Sequence, residues 1–120
     1  MKPNFVSLGA TCLALGIGLG AFGAHWLKGS VGEAQLALWE TATRYWLIGA
    51  LGMALFGVWS AKREQSALPG WLLLVGSMLF SASLYGLALG APHVVGAVTP
   101  LGGLCLIAGF SSFAWAARSR

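Results

Sequence analysis

The sequence predicts an all-α membrane protein: a four-transmembrane-helix bundle, residues 1–120 forming one domain with both termini cytoplasmic. Three observations carry this reading. Of the 120 residues, 58% are hydrophobic and only 8% are charged, against roughly 25% charged in an ordinary soluble domain. The formal charges leave long gaps: 25 residues between Lys2 and Lys28, 17 between Arg44 and Lys62, and 53 between Glu64 and Arg118. A span needs about 20 apolar residues, so the last gap holds two. That gap also lacks an alternating apolar/polar pattern, which argues against barrel strands. In lipid only helices and closed barrels satisfy every backbone donor and acceptor, so the runs are read as helices.

The same composition excludes a disordered chain, and a nucleic-acid module in which many Lys and Arg neutralise phosphates. The net charge of +4 reflects a scarcity of acids, three in all, and no basic patch. The lipid bilayer is the expected partner, and no nucleic acid is.

The helix borders follow from local chemistry. The first helix is expected over 4–25, after Pro3. The second is expected over 31–61, before Lys62 and Arg63. Its first third sets Glu33, Gln35, Glu40 and Arg44 among Leu36, Leu38 and Trp39, an amphipathic stretch expected to lie at the interface before entering the membrane. The third runs over 69–90. Pro69 suits a first turn, and Gly90-Ala91-Pro92 is a stop signal. The fourth runs over 99–117, with Thr99 as N-cap, Pro100 as first helical residue, and Gly102 and Gly103 following. Lys2 and Ala21-Phe22-Gly23 loosely imitate a cleaved signal peptide, but the apolar run is long for one and three more spans follow.

Orientation rests on Lys and Arg in the short connections. Lys2, Lys62, Arg63, Arg118 and Arg120 fall on one side, and Lys28 and Arg44 on the other. The richer side is expected to be cytoplasmic, in a bacterial inner membrane crossed several times. Trp26, Trp39, Trp59, Trp71 and Trp115 fall near the expected borders, as an aromatic belt would; Trp46 lies deeper. Cys12 and Cys105 sit at different depths, beyond disulfide reach, and read as small packing residues.

Eighteen glycines in 120 residues suit close helix approach in lipid. Two small-residue stripes at four-residue spacing are candidates for it: Gly16, Gly20 and Ala24 on the first helix, and Ala82, Gly86 and Gly90 on the third. Ser77, Ser81 and Ser83 can bond to their own helix or across to a neighbour.

The candidate polar cluster is His25, Lys28, Glu40, Arg44 and Tyr45, all near the outer border. Glu33 and His93 map to the same side. Ionisable groups in membrane helices are functional candidates by default. Glu40 and Arg44 are spaced i, i+4 with the acid first, so they can pair directly. The favoured reading is a salt bridge that fixes how the second helix enters the membrane; the alternatives are a proton, ion or substrate site, and a freely solvated pair. Two histidines and two glutamates at scattered positions lack metal-ligand spacing. Glycines at 16, 18, 20 and 23 imitate a dinucleotide loop but follow no strand. No nucleophile-elbow, phosphate-loop or zinc-protease motif occurs. The expectation is therefore no metal, no cofactor and no enzymatic activity.

Four blocks carry a family resemblance: Gly20-Ala-Phe-Gly-Ala-His25 followed by Lys28; Glu40-Thr-Ala-Thr-Arg-Tyr45; Phe80-Ser-Ala-Ser-Leu-Tyr85; and Thr99-Pro-Leu-Gly-Gly103 followed by Gly109. Together they resemble the small four-helix bacterial membrane proteins grouped as a domain of unknown function, number 423 of that series. The family pattern usually has a histidine where this chain has Gly49, so a role needing that imidazole does not carry over. It usually shows Ser-Gly-Ser where this chain has Ser81-Ala82-Ser83. The resemblance implies four spans, an inner-membrane location and assembly through the motif residues, and it brings no assigned activity, substrate or cofactor. The expected function is a non-catalytic structural or accessory component, self-assembling or part of a larger membrane complex. The alternative is a small-solute or ion transporter or channel subunit acting as an oligomer.

Overall fold

The computed structural model describes residues 3–118, and every element of regular structure within them is a helix. Helix α1 spans Phe5–Phe22 and α2 spans Glu33–Ser60; α3 spans Leu68–Ala88 and α4 spans Thr99–Ala117. Lys2 and Arg120, two of the charges used to orient the chain, lie outside the described residues.

Asn4 caps α1, its side chain accepting from the Ser7 amide at 3.1 Å, which satisfies one orphan N–H of the first turn. Past Phe22 the helix widens into a π-helical turn over Gly23–Leu27, closed by the Lys28 amide on the Gly23 carbonyl at 3.1 Å. The helical run therefore reaches Leu27, two residues beyond the expected border. Gly29, at φ +89°, turns the chain. At the start of α2 the Gly32 amide donates to the Gln35 side chain at 3.0 Å. No break separates the polar first third of α2 from the rest. The expected interfacial segment is thus the first turns of one continuous 28-residue helix, about 42 Å long at 1.5 Å per residue.

Helix α3 ends in a Schellman motif: the Ala91 amide reaches the Gly86 carbonyl at 2.9 Å and the Gly90 amide reaches Leu87 at 3.1 Å. Gly90 adopts φ +99°, which costs a side-chain-bearing residue dearly. A short 3-10 turn over His93–Ala97 then feeds α4 directly. Thr99 is consequently not the N-cap expected of it. It already lies inside the helix, with Val98 at the cap.

Three stretches, Phe5–Leu27, Leu68–Ala88 and His93–Ala117, are long and apolar enough to cross a membrane. Helix α2 is the longest, but its polar first third holds Glu33, Glu40 and Arg44.

Each helix packs antiparallel against the next: α1 on α2, α2 on α3, α3 on α4, with α2 touching α4 lightly. The arrangement is a row with α2 and α3 in the middle, and α1 and α4 share no comparable seam. One core joins Phe5, Cys12, Ala50, Met53, Phe56, Leu73 and Leu106. Phe56 anchors it, its ring edge-on to Phe5 at 5.7 Å and to Phe113 at 5.3 Å. A second, smaller core joins Leu27, Trp39 and Ala88. It lies at the end of the row that carries the α1–α2 and α3–α4 connections, called the loop end below.

The seams run close because glycines stand where the backbones cross. A Cβ on Gly9 would meet the Ala54 amide nitrogen at 2.7 Å; one on Gly16 would meet Trp46 at 2.7 Å; one on Gly23 would meet Trp39 at 2.5 Å. On the α3–α4 seam a Cβ on Gly76 would meet the Leu106 nitrogen at 2.7 Å, and one on Gly109 would meet Leu73 at 2.9 Å. Lipid tails are as apolar as leucine, so helices associate through such close van der Waals packing and through interhelical hydrogen bonds.

Candidate functional site

Polar side chains gather at the loop end, and the structure divides them into two sets. The first set is buried or half-buried and used to clasp helices. Trp39, 5% exposed, donates its indole N–H to the Leu19 carbonyl of α1 at 2.8 Å. One face of its ring meets Tyr85 of α3 at a centroid distance of 4.3 Å. Beside it Thr43 Oγ1 and Tyr85 Oη share a hydrogen bond of 2.6 Å. One turn further along, Ser81 donates to the Ala42 carbonyl at 2.7 Å. Ser83 bonds Thr99 of α4 at 2.6 Å. Deeper in the row Trp46 donates to the Cys12 carbonyl at 2.7 Å. In sequence order these bonds tie α1 to α2, α2 to α3, and α3 to α4.

The second set is exposed. Glu40, Arg44, Tyr45, His25 and Lys28 all face outward. Glu40 and Arg44 do not form the expected salt bridge: among the described residues neither has an ion pair within 4.0 Å or a hydrogen bond. Instead both line a cleft of about 310 Å³ between α1 and α2, together with Gly20, Gly23, Ala24, Trp39, Thr43 and Leu47. His25 does not join them. Its ring lies edge-on to Trp26 at 6.2 Å, in the π-helical turn. Tyr45 faces the opposite side of α2, edge-on to Phe80 at 5.0 Å. There it lines an apolar groove of about 730 Å³ between α2 and α4, floored by Phe80 and Leu106. The described residues hold no group of three His, Cys, Asp or Glu side chains placed to bind a metal.

The small-residue stripes also sort differently from their sequence pattern. Gly16 sits on the α1–α2 seam, and Gly20 touches it, a Cβ there lying 3.4 Å from Thr43. Ala24 is exposed and lines the cleft. On α3, Ser81 and Ser83 are buried whereas Ala82 is exposed. Gly86 and Gly90 belong to the Schellman turn, and nothing lies within 4 Å of a Cβ on Gly90. At the start of α4, Gly102 is crowded against the Phe80 backbone, while Gly103 has 3.7 Å of clearance. Pro100 is exposed in the first turn.

Sequence reasoning picked out Gly16 and Gly102 but missed Gly9 and Gly109, which extend them at a spacing of seven. Gly9 and Gly16 on α1 are continued at that interval by Gly23 in the π-helical turn, and Gly102 and Gly109 recur on α4. Helices crossing at a shallow angle keep a seven-residue seam in contact, whereas a four-residue stripe drifts off it. Trp39, expected in an interfacial belt, is instead the buried clasp of the second core.

This geometry is that of an integral membrane protein whose helices are joined by buried hydroxyls, indoles and glycine crossings. The family model described as "protein of unknown function (DUF423)" matches residues 19–103, and the chain belongs to that family. It is 43% identical to a UPF0382 membrane protein of Staphylococcus haemolyticus over 107 residues, 88% of each chain. It is 40% identical to one of Staphylococcus epidermidis, again over 88% of each chain. The UPF0382 membrane protein YwdK of Bacillus subtilis is 38% identical over 106 residues, 86% of each chain. No solved structure matches the chain.

Proposed function

We propose that this protein crosses a bacterial inner membrane four times, with both termini in the cytoplasm, and serves as a non-catalytic component of a membrane assembly. The observation that carries the assembly role is how the buried and half-buried polar groups are used. Trp39, Thr43, Trp46, Ser81, Ser83, Tyr85 and Thr99 are joined helix to helix. Such groups fix one arrangement of the row. The outer faces of α1 and α4 stay apolar and open, with Ile17, Leu104 and Ile107 at least 63% exposed. They offer a broad surface to lipid, to a second copy or to another membrane protein. Crosslinking in intact membranes followed by purification in mild detergent tests this. A stoichiometric partner or self-oligomer is expected; a strictly monomeric, partnerless chain would count against it.

A second reading is favoured by the cleft that Glu40 and Arg44 share: a small-solute or ion transporter subunit acting as an oligomer. Flux into liposomes with wild-type, Glu40→Gln and Arg44→Ala protein decides it. Background flux in all three removes that reading.

A further inference from the structure

Glu40 and Arg44 hold the i, i+4 register, acid first, that favours an intrahelical ion pair, yet they stay apart while lining one cleft. Two opposite charges held along one wall, over a floor of Gly20, Gly23 and Ala24, suit a ligand that carries both charges itself.

Their level in the row narrows the choice. Thr43, on the turn between them, faces Gly20 of α1 and bonds Tyr85 of α3. Gly20 is seven residues from Leu27, about 10 Å along the helix, and Tyr85 is three residues from Ala88, about 5 Å. With α1 and α3 across the bilayer, both charges lie level with the last two turns of those helices at the loop end, about two turns (Glu40) and three turns (Arg44) into α2. This is where acyl chains give way to glycerol and phosphate. An unpaired guanidinium is costly at that depth and draws in a counter-ion. Every phospholipid supplies a phosphodiester, whose oxygens match the fork of an arginine.

The order of the charges then selects among headgroups. Because α2 starts at the loop end, Glu40 lies about 6 Å nearer the water than Arg44. In a phosphatidylethanolamine the phosphate is the deeper charge, and the ammonium stands outside it at the end of a four-bond P–O–C–C–N chain. We propose that the α1–α2 cleft binds a phosphatidylethanolamine headgroup, the phosphate on Arg44 and the ammonium donating to the Glu40 carboxylate. An anionic phosphatidylglycerol would satisfy Arg44 but bring no cation to Glu40. A phosphatidylcholine would bring a cation without N–H donors.

The site rests on the membrane-spanning reading above, and its test is binding to the purified full chain in detergent. Retained lipid is read by native mass spectrometry during titration with phosphatidylethanolamine, phosphatidylglycerol, phosphatidylcholine or water-soluble glycerophosphoethanolamine. Wild type is expected to favour phosphatidylethanolamine over phosphatidylglycerol about tenfold. Arg44→Gln should weaken all three lipids about tenfold, with partial recovery in Arg44→Lys. Glu40→Gln should erase only the preference for phosphatidylethanolamine. Both side chains are exposed, so the variants should keep the wild-type helical circular dichroism and elution volume. Equal binding of all lipids by wild type would overturn the proposal, as would an unchanged lipid pattern in Arg44→Gln and Glu40→Gln. Glycerophosphoethanolamine binding as tightly as the intact lipid would overturn the lipid assignment. None of these outcomes bears on how many times the chain crosses the membrane, which cysteine labelling decides separately.

Discussion

Replacing Gly49 by alanine tests the closeness of the α2–α3 seam at one point. Ser77 of α3 is 2% exposed, and its hydroxyl is a buried polar atom without a hydrogen-bond partner among the described residues. A Cβ on Gly49 would fall well inside contact distance of that oxygen, 3.0 Å from Ser77 Cβ and 3.3 Å from Leu106 Cδ2. Overpacking of this kind costs about 1–3 kcal/mol; with the hydroxyl in the way, Gly49→Ala should cost about 2 kcal/mol. Ser77→Ala removes a buried hydroxyl that has no partner to lose, and should be neutral or stabilising by about 1 kcal/mol. In the Ser77→Ala background the added methyl meets only the 3.0 Å Cβ contact and a flexible leucine end. Gly49→Ala should then cost about 1 kcal/mol or less. The predicted coupling is about 1 kcal/mol, against additivity within roughly 0.5 kcal/mol for independent sites. The assay is reversible SDS-driven unfolding in mixed micelles, followed by tryptophan fluorescence. Equal costs for Gly49→Ala in both backgrounds would refute the reasoning.

Three further outcomes follow from the same geometry. In α4, Gly102→Ala collides with the Phe80 backbone while Gly103→Ala has 3.7 Å of room; the first should destabilise by about 2 kcal/mol and the second by less than about 0.5 kcal/mol in the same assay. Trp39→Phe and Trp46→Phe each lose one indole bond to a carbonyl of α1. Each should cost about 1 kcal/mol, and protease cleavage in the α1–α2 connection should quicken as α1 loosens. Gly90→Ala forces a side chain onto φ +99° and should cost about 1–2 kcal/mol, read as a lower midpoint of thermal unfolding in detergent.

The helices were legible because charge spacing and capping chemistry are local. Pro69, Gly90 and the 53-residue uncharged gap place α3 and α4 almost to the residue. What proved illegible depends on partners across a seam. The i, i+4 spacing of Glu40 and Arg44 permits a pair, but among the described residues none forms and both side chains line the cleft instead. Trp39 looks like a belt residue until Gly23 and Tyr85 are seen to enclose it. Thr99 has cap chemistry, but the preceding 3-10 turn already satisfies the helix start and frees its hydroxyl for Ser83. The four-residue stripes caught Gly16 and missed Gly9, Gly76 and Gly109, because the crossing angle that selects a seven-residue seam belongs to the pair of helices and not to either sequence. The open row was illegible for the same reason, since composition says which residues are apolar and not which helices meet.

The central claim is that α2, polar first third included, crosses the bilayer along with the other three helices. Single-cysteine labelling in oriented inner-membrane vesicles tests it directly, with Cys12→Ala and Cys105→Ala as background. Ser30→Cys probes the α1–α2 connection and Ser66→Cys the α2–α3 connection, both exposed positions. Four crossings with cytoplasmic termini predict that an impermeant maleimide reaches Ser30→Cys only from the periplasmic face and Ser66→Cys only from the cytoplasmic face. Labelling of both cysteines from one and the same face would mean that α2 lies along the membrane and does not cross it.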